Sequence, residues 1–374
     1  MIAGGFLATS TLGMSFPVVP RLVSGPLAGG SRAVGVVVGA FAVASVLCRP
    51  AVAKLGDRRG HRALLLLGGV VSSIGLLLHV WADSILALAL ARGAAGLGFG
   101  ATMVGLFTAA LDAASAERQG EAASYLTIAI TLGLGLGPIA GEWLLLEYGS
   151  GAVWVGATAA AGAGTVIVLR GLPRAAIGAP QPAPRSAAIW WSSTAVLPGV
   201  VAMFGVVAFA GFLAFIPLHA LDVGVDRVGT LLLVSSATVI VARFVVARSA
   251  RQDQLVTIIA AGLACEALGL LLIAVWTSPV GLWVAVAVMS AGWAVVLPWL
   301  VLAATRGAGA GERTRAVATF TMFTDVGVAV GPIMMGLVAS FAGYGGAFVA
   351  GAVITAGGLL LTRPLTASPS PIPN

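Results

Sequence analysis

Charge is what this sequence has least of. Only 9% of its 374 residues are Asp, Glu, Lys or Arg, against about 25% in a soluble globular chain. So thin a supply cannot cover a water-facing surface, which excludes a cytosolic enzyme, a nucleic-acid-binding domain and a disordered chain together. Cysteine is scarce too. Cys48 and Cys265 each fall inside an apolar run, with no CxxC pair and no neighbouring histidine, so they read as small buried residues rather than as a redox or metal site. Three histidines, far apart in the chain, add no metal cluster, and no cofactor is expected. The net charge of +7 and the pI near 10.6 do not make a nucleic-acid footprint either. That needs basic residues gathered on one face, and here they stand singly between apolar runs.

What is present is hydrophobic: 59% of the residues, with a mean hydropathy of +1.06. A bilayer crossing takes about 20 apolar residues, so twelve crossings consume roughly 240 and leave only short connections. The breakers divide the chain accordingly. Candidate helices fall at about 2–22, 33–54, 63–82, 84–110, 122–146 and 151–170, then at 194–218, 229–248, 255–276, 279–303, 316–341 and 346–363. The predicted fold is an all-α polytopic membrane protein with twelve transmembrane helices in two six-helix halves, 1–170 and 189–363. Between them, 171–188 is proline-rich and reads as an extended cytoplasmic linker, and the Pro- and Ser-rich 364–374 reads as a disordered cytoplasmic tail. The first run opens without a basic n-region, so it reads as a helix rather than a cleaved leader. Its missing basic flank predicts that the natural start lies upstream.

Orientation follows from the basic residues. With the N-terminus inside, Arg49, Lys54, Arg58, Arg59, Arg62, Arg118 and ten more face the cytoplasm, and only Arg21, Arg32 and Arg227 face out. Both termini are therefore expected in the cytoplasm, in a cell (inner) membrane. Trp81, Trp143, Tyr148, Trp154, Trp276, Trp283 and Tyr344 fall at the outer interface as an aromatic belt. The halves also repeat. A shift of 194 residues superposes Gly35 on Gly229, Arg49 on Arg243, Gly133 on Gly327, Gly137 on Gly331 and Pro138 on Pro332, and Tyr148-Gly149 recurs nearby as Tyr344-Gly345. Two parallel six-helix repeats are the plan of a large transporter class.

The segment after the second helix, Leu55-Gly56-Asp57-Arg58-Arg59-Gly60-His61-Arg62, resembles the signature G-x-L-x-D-R-x-G-R-R of the major facilitator superfamily, departing from it at Ala53 and His61. Arg92-Gly-Ala-Ala-Gly96-Leu-Gly98 is similar to that family's R-x-x-x-G-x-G motif. Gly133-Leu-Gly135-Leu-Gly137-Pro138-Ile-Ala-Gly141 resembles the helix-five motif of its drug:proton antiporter, or efflux, branch, and ends in Glu142 where a second glycine is common. The resemblance covers the whole chain. It implies a gate in which Asp57 faces the N-terminal end of helix eleven, where the helix dipole favours an anion, while Arg58 or Arg62 bridges to Asp112. The glycines, with Gly141, Pro138 and Pro332, imply a bending seam between the halves.

Three intramembrane charges carry the coupling hypothesis. Arg92 lies about 12 Å into its helix, where a charge is costly and functional by default, and a paired carboxylate would lower that cost. Asp325, about 14 Å into helix eleven, is the first choice for the acid that takes and releases a proton. Glu266 is comparably deep, in a helix the family places at the periphery, where packing or an oligomer contact competes with coupling. Glu142 and Glu147 read as solvated interfacial charges. By the family pattern the cavity draws on helices one, four, seven and ten, hence on Thr11, Thr102, Met103, Phe212 and Trp293, an aromatic and hydroxyl-bearing set suited to lipophilic molecules. The expected protein is a monomeric, proton-driven secondary transporter exporting small lipophilic or amphiphilic compounds by alternating access, with no nucleic-acid partner and no catalytic site. An importing symporter or facilitator is the alternative. A membrane-embedded transferase would need acid or His/Asp clusters at one face, and none stands in the sequence.

Overall fold

The computed structural model describes residues 1–115, 118–172, 192–249, 251–306 and 310–363, without the side chains of 57, 120, 249, 252, 310, 311 and 314. The linker expected at 171–188, beyond its first two residues, and the tail expected at 364–374 lie outside the described residues. Every regular element among the described residues is helical: α1 Ile2–Ser15, α2 Val19–Ser24, α3 Ser31–Leu47, α4 Arg49–Leu78, α5 Ile85–Asp112, α6 Gln119–Tyr148, α7 Ser150–Gly171, α8 Ser193–Asp222, α9 Val228–Ser249, α10 Leu255–Val275, α11 Pro279–Thr305 and α12 Ala310–Leu360. A helix satisfies its backbone internally, which is what a hydrocarbon solvent demands.

Eleven helical stretches among the described residues are long and apolar enough to cross a bilayer. The last of them, Arg315–Leu360, is 46 residues long and would extend about 70 Å at 1.5 Å per residue, twice a hydrocarbon core of about 30 Å. It breaks at Gly343, with φ 68° and ψ −179°, into two consecutive spans, and so restores the expected twelve. In the same way α4 joins the end of the second span to the third through Gly60, with φ 72° and ψ 172°. Both conformations lie where a Cβ is strained. Gly60→Ala is expected to cost about 1–3 kcal/mol and to lower the melting temperature of the purified protein. Unchanged melting would show that the turn relaxes without loss.

The duplication is written into the caps. Ser84 accepts a hydrogen bond from the Ala87 N–H at 3.2 Å and starts α5. Ser278, 194 residues on, accepts one from the Gly281 N–H at 3.1 Å and starts α11. Gly149 opens α7 at φ 81°, and the same shift lands on Gly343. The pairing of Tyr148-Gly149 with Tyr344-Gly345 is thereby corrected. The conformationally equivalent glycine is the one before Tyr344, because the positive φ that a turn between two helices requires sits there.

The chain forms two compact units, Met1–Arg185 with Arg227–Ser236, and Ser186–Asp226 with Ala237–Asn374. In the first, α4 and α5 meet backbone to backbone: a Cβ on Gly68 would meet Thr102, one on Gly75 would meet Ala95, and one on Gly98 would meet Ser72. In the second, Gly269 meets Met289 and Gly292 meets Glu266, the same contacts moved by 194 residues. Apolar clusters fill the rest, with Leu65, Leu106, Leu126 and Val168 in the first unit and Ile259, Leu263, Leu300 and Phe320 in the second.

The glycine-proline motifs lie inside these units. Gly133, Gly137 and Gly141 of α6 face Thr9, Ser10 and Met14 of α1, and Gly327 and Gly331 of α12 face Val206 and Val207 of α8. These glycines close-pack within each half, because small residues let neighbouring backbones approach, and the α6 motif also meets α9, where Gly135 faces Ser236 and Gly229 faces Pro138 and Ile139. The helices continue through Pro138 and Pro332.

Candidate functional site

At the α4 turn, Leu55 packs beside Val52, Leu64 and Ala101, and Gly56 lies against Leu64. Arg58 is exposed. The Asp57 side chain lies outside the described residues. Arg62 does not bridge to Asp112. It donates to the carbonyls of Leu169 at 3.3 Å and Leu172 at 3.4 Å, at the end of α7 where the helix dipole favours a cation. The partner of Asp112 is His61, with Nδ1 at 3.4 Å from the carboxylate. The resemblance implied an arginine at this acid, and beyond the turn at Gly60 it is the histidine that meets it. Nearby, Arg118 holds exposed Glu121 at 2.9 Å, and that hydrogen bond raises the Arg118 pKa above its ordinary value.

The opposite ends of these helices hold a carboxylate that the sequence treated as solvated. Glu142 is 5% exposed. Its Oε1 accepts from Arg21 at 2.9 Å and from the Val228 N–H at 3.0 Å, and its Oε2 accepts from the Gly229 N–H at 2.8 Å. The N-terminus of α9 supplies unpaired backbone donors and a partial positive charge, so the acid is stable without water. Its location at the end of the fifth span suggested an interfacial charge. The partner that makes it internal is 86 residues away in sequence. Glu147 is exposed, as expected.

Arg92 is 2% exposed. Its Nη1 donates to the Ser15 hydroxyl at 3.0 Å, and the Phe41 ring centroid lies 4.7 Å from its guanidinium carbon. No ion pair with a carboxylate holds it among the described residues, contrary to the pairing expected for a charge at that depth. Glu266 is fully buried, and neither carboxylate oxygen has a hydrogen-bond partner among the described residues. It points inward at Gly205 of α8, where a Cβ would stand 3.1 Å from Oε2, and its backbone lies against Gly292 of α11. An exposed oligomer contact is therefore ruled out for this side chain. Asp325 is half-buried two residues before Gly327. The Thr321 and Thr324 hydroxyls on its own helix donate to the Ala318 and Thr321 carbonyls.

The expected cavity residues divide. Thr11 and Thr102 line one cleft in the first unit with Ser72, Phe99 and Thr165, its volume about 20 Å³, room for roughly one water. Met103 packs into the neighbouring apolar cluster. In the second unit Phe212 is fully buried, 5.9 Å from Phe209, which stacks on Trp293 at 4.0 Å and 5°. Of the aromatic belt, Trp81, Trp143, Tyr148 and Trp276 are exposed, but Trp154 is 1% exposed and lies 4.3 Å from the His79 ring.

Eleven membrane-length apolar stretches among the described residues, the last broken in two at Gly343, a duplicated six-helix plan and isolated charges deep within them define a polytopic membrane transporter. A family model described as Major Facilitator Superfamily matches residues 1–324. The chain belongs to that superfamily. It is 26% identical over 381 residues to the uncharacterized MFS-type transporter YhhS of Escherichia coli K12, covering 97% of this chain and 91% of that protein. Among solved structures it is similar to the nucleoside transporter NupG (TM-score 0.76, 14% identity, 98% of each chain). It is also similar to the human organic anion transporter MFSD10 (TM-score 0.72, 19% identity, 97% of each chain).

Proposed function

We propose that this protein is a proton-driven exporter of small lipophilic or amphiphilic molecules, working by alternating access as a monomer in the cell membrane with both termini cytoplasmic. The orientation rests on the basic residues, sixteen on one side of the membrane against three on the other. The export direction rests on the resemblance of Gly133 to Gly141 to the efflux motif. The coupling rests on one observation: Glu266 is a fully buried carboxyl group with no partner at either oxygen. An unpaired carboxylate in an apolar interior costs several kcal/mol. Glu266 is therefore held as the neutral acid, and it exchanges its proton when the helices around it admit water. Glu266 takes precedence over Asp325 on this ground, and Asp325 is the second candidate.

Proteoliposomes under an imposed pH gradient, with a panel of lipophilic dyes and antibiotics, test the reading. Wild-type protein is expected to move substrate against the proton gradient, and Glu266→Gln to lose the response to the gradient at least tenfold while still exchanging substrate. Substrate moving with the protons would make the protein an importer and overturn the export reading. Normal coupling in Glu266→Gln with loss in Asp325→Asn would transfer the role to Asp325.

A further inference from the structure

Three buried side chains of the first unit end in nitrogen atoms with no hydrogen-bond partner among the described residues: Arg92 Nε, Trp154 Nε1 and His79 Nε2. They are 2%, 1% and 4% exposed respectively. They also lie together. Across the α4/α5 seam, Gly75 faces Ala95. One turn onward from Gly75 is His79, and one turn back from Ala95 is Arg92, so the antiparallel helices bring both to one level. The His79 ring in turn lies 4.3 Å from Trp154. His79 Nδ1 donates to the Gly75 carbonyl at 2.8 Å, which orients the imidazole and leaves Nε2 facing the cluster.

Leaving a buried polar group unpaired, whether the Arg92 and Trp154 donors or the His79 Nε2 acceptor, costs about 1–3 kcal/mol each, and the duplication shows that the fold does not require them. Moved by 194 residues, Arg92, His79 and Trp154 become Val286, Ile273 and Phe348, and all three of these are fully buried. The same positions thus pack as an apolar trio, with the His219 ring of α8 5.2 Å from Phe348 and bonded to the Ile273 carbonyl. The first unit instead holds a cation, an indole N–H and an imidazole, and no carboxylate among the described residues pairs with Arg92.

We propose that Arg92 and Trp154 bind the carboxylate of a lipophilic monocarboxylate, Arg92 Nε–H donating to one oxygen and Trp154 Nε1–H to the other. A single positive charge matches a monoanion rather than a phosphate dianion, and a planar guanidinium edge matches a planar carboxylate. Phe41 over the guanidinium, itself 5.3 Å from Phe99, offers an apolar surface for the rest of the molecule. The site is closed in this structure and fills when its helices part. The proposal rests on the transporter reading and adds the class of substrate to it.

The test is calorimetric titration of the full chain in lipid nanodiscs, without any gradient, using 1-naphthoate and octanoate against their amides, with acetate and inorganic phosphate as further arms. The acids are expected to bind at least tenfold more tightly than the amides. Trp154→Phe is expected to weaken acid binding about tenfold, and Arg92→Val to abolish the preference for acid over amide. Valine and phenylalanine are the residues the second half carries at these positions, so both variants are expected to fold, and Arg92→Lys is expected to recover part of the affinity. Equal binding of acids and amides, no binding by folded wild-type protein, or wild-type affinity in both variants would overturn the proposal. Acetate binding as tightly as octanoate would overturn its lipophilic part, and phosphate binding more tightly than either would overturn the carboxylate. Because no gradient is applied, failure here leaves the direction and coupling of transport to the proteoliposome experiment, and failure there leaves this site untouched.

Discussion

Glu142→Ala is expected to destabilise the protein by about 3–5 kcal/mol, the cost of removing one partner from a buried charge pair. Three groups lose their acceptor at once: the Arg21 guanidinium and the Val228 and Gly229 N–H groups, at 2.8 to 3.0 Å. Arg21 would lose this carboxylate at 16% side-chain exposure, and the first turn of α9 would have two donors facing protein. The measurement is thermal melting in detergent for Glu142→Ala, Arg21→Ala and the double variant. A drop on the order of 10 °C is expected for Glu142→Ala. Arg21→Ala should cost less, because the carboxylate keeps its two backbone donors. A double variant no worse than Glu142→Ala would show that the two side chains act as one unit. Melting of Glu142→Ala at the wild-type temperature would mean that water replaces the carboxylate at the helix end.

Gly98→Val is the second large effect. A Cβ at Gly98 would overlap the Ser72 backbone nitrogen, and a branched side chain would drive the two helix backbones apart. Overpacking ordinarily costs about 1–3 kcal/mol and occasionally more. Here the obstacle is main chain, which cannot change rotamer, so loss of folded protein is expected, read as the absence of a monodisperse peak in size-exclusion chromatography. Gly162→Ala is the control. Nothing lies within 4 Å of a Cβ there, and alanine in a helix interior is favoured over glycine by about 0.5–1 kcal/mol. A monodisperse Gly98→Val would show that the seam has slack.

The spans and their number were legible in the sequence because hydropathy and length are what a bilayer selects on. Even where α12 runs on past one crossing, Gly343 marks the division in the residue alphabet, since few other residues tolerate its φ. Arg92 was legible by depth alone. What the sequence hid was partnership. Glu142 looks interfacial until the N–H groups of Val228 and Gly229 are brought to it, and nothing local to Glu142 announces them. The resemblance pairs Arg58 or Arg62 with Asp112, but the Gly60 turn sends Arg62 to the end of α7 and leaves Asp112 to His61. Trp154 looks like a belt residue by its position near a helix start, yet it turns inward onto His79. One signal was available and unused: comparing the halves position by position sets Arg92 against Val286, His79 against Ile273 and Trp154 against Phe348. A polar residue in one copy opposite an apolar residue in the other marks chemistry that packing does not need.

A guanidinium about 10 Å into α5 is also a fixed charge within the electric field of an energised membrane. Empty, the proposed site would carry one positive charge; occupied by a monocarboxylate, it would carry none. Voltage acts on such a charge with up to about 2.3 kcal/mol per 100 mV for a full crossing. On the proposed reading, the membrane potential acts on the Arg92 charge when the site is empty and not when a monocarboxylate neutralises it, so voltage weights the empty and occupied halves of the cycle unequally.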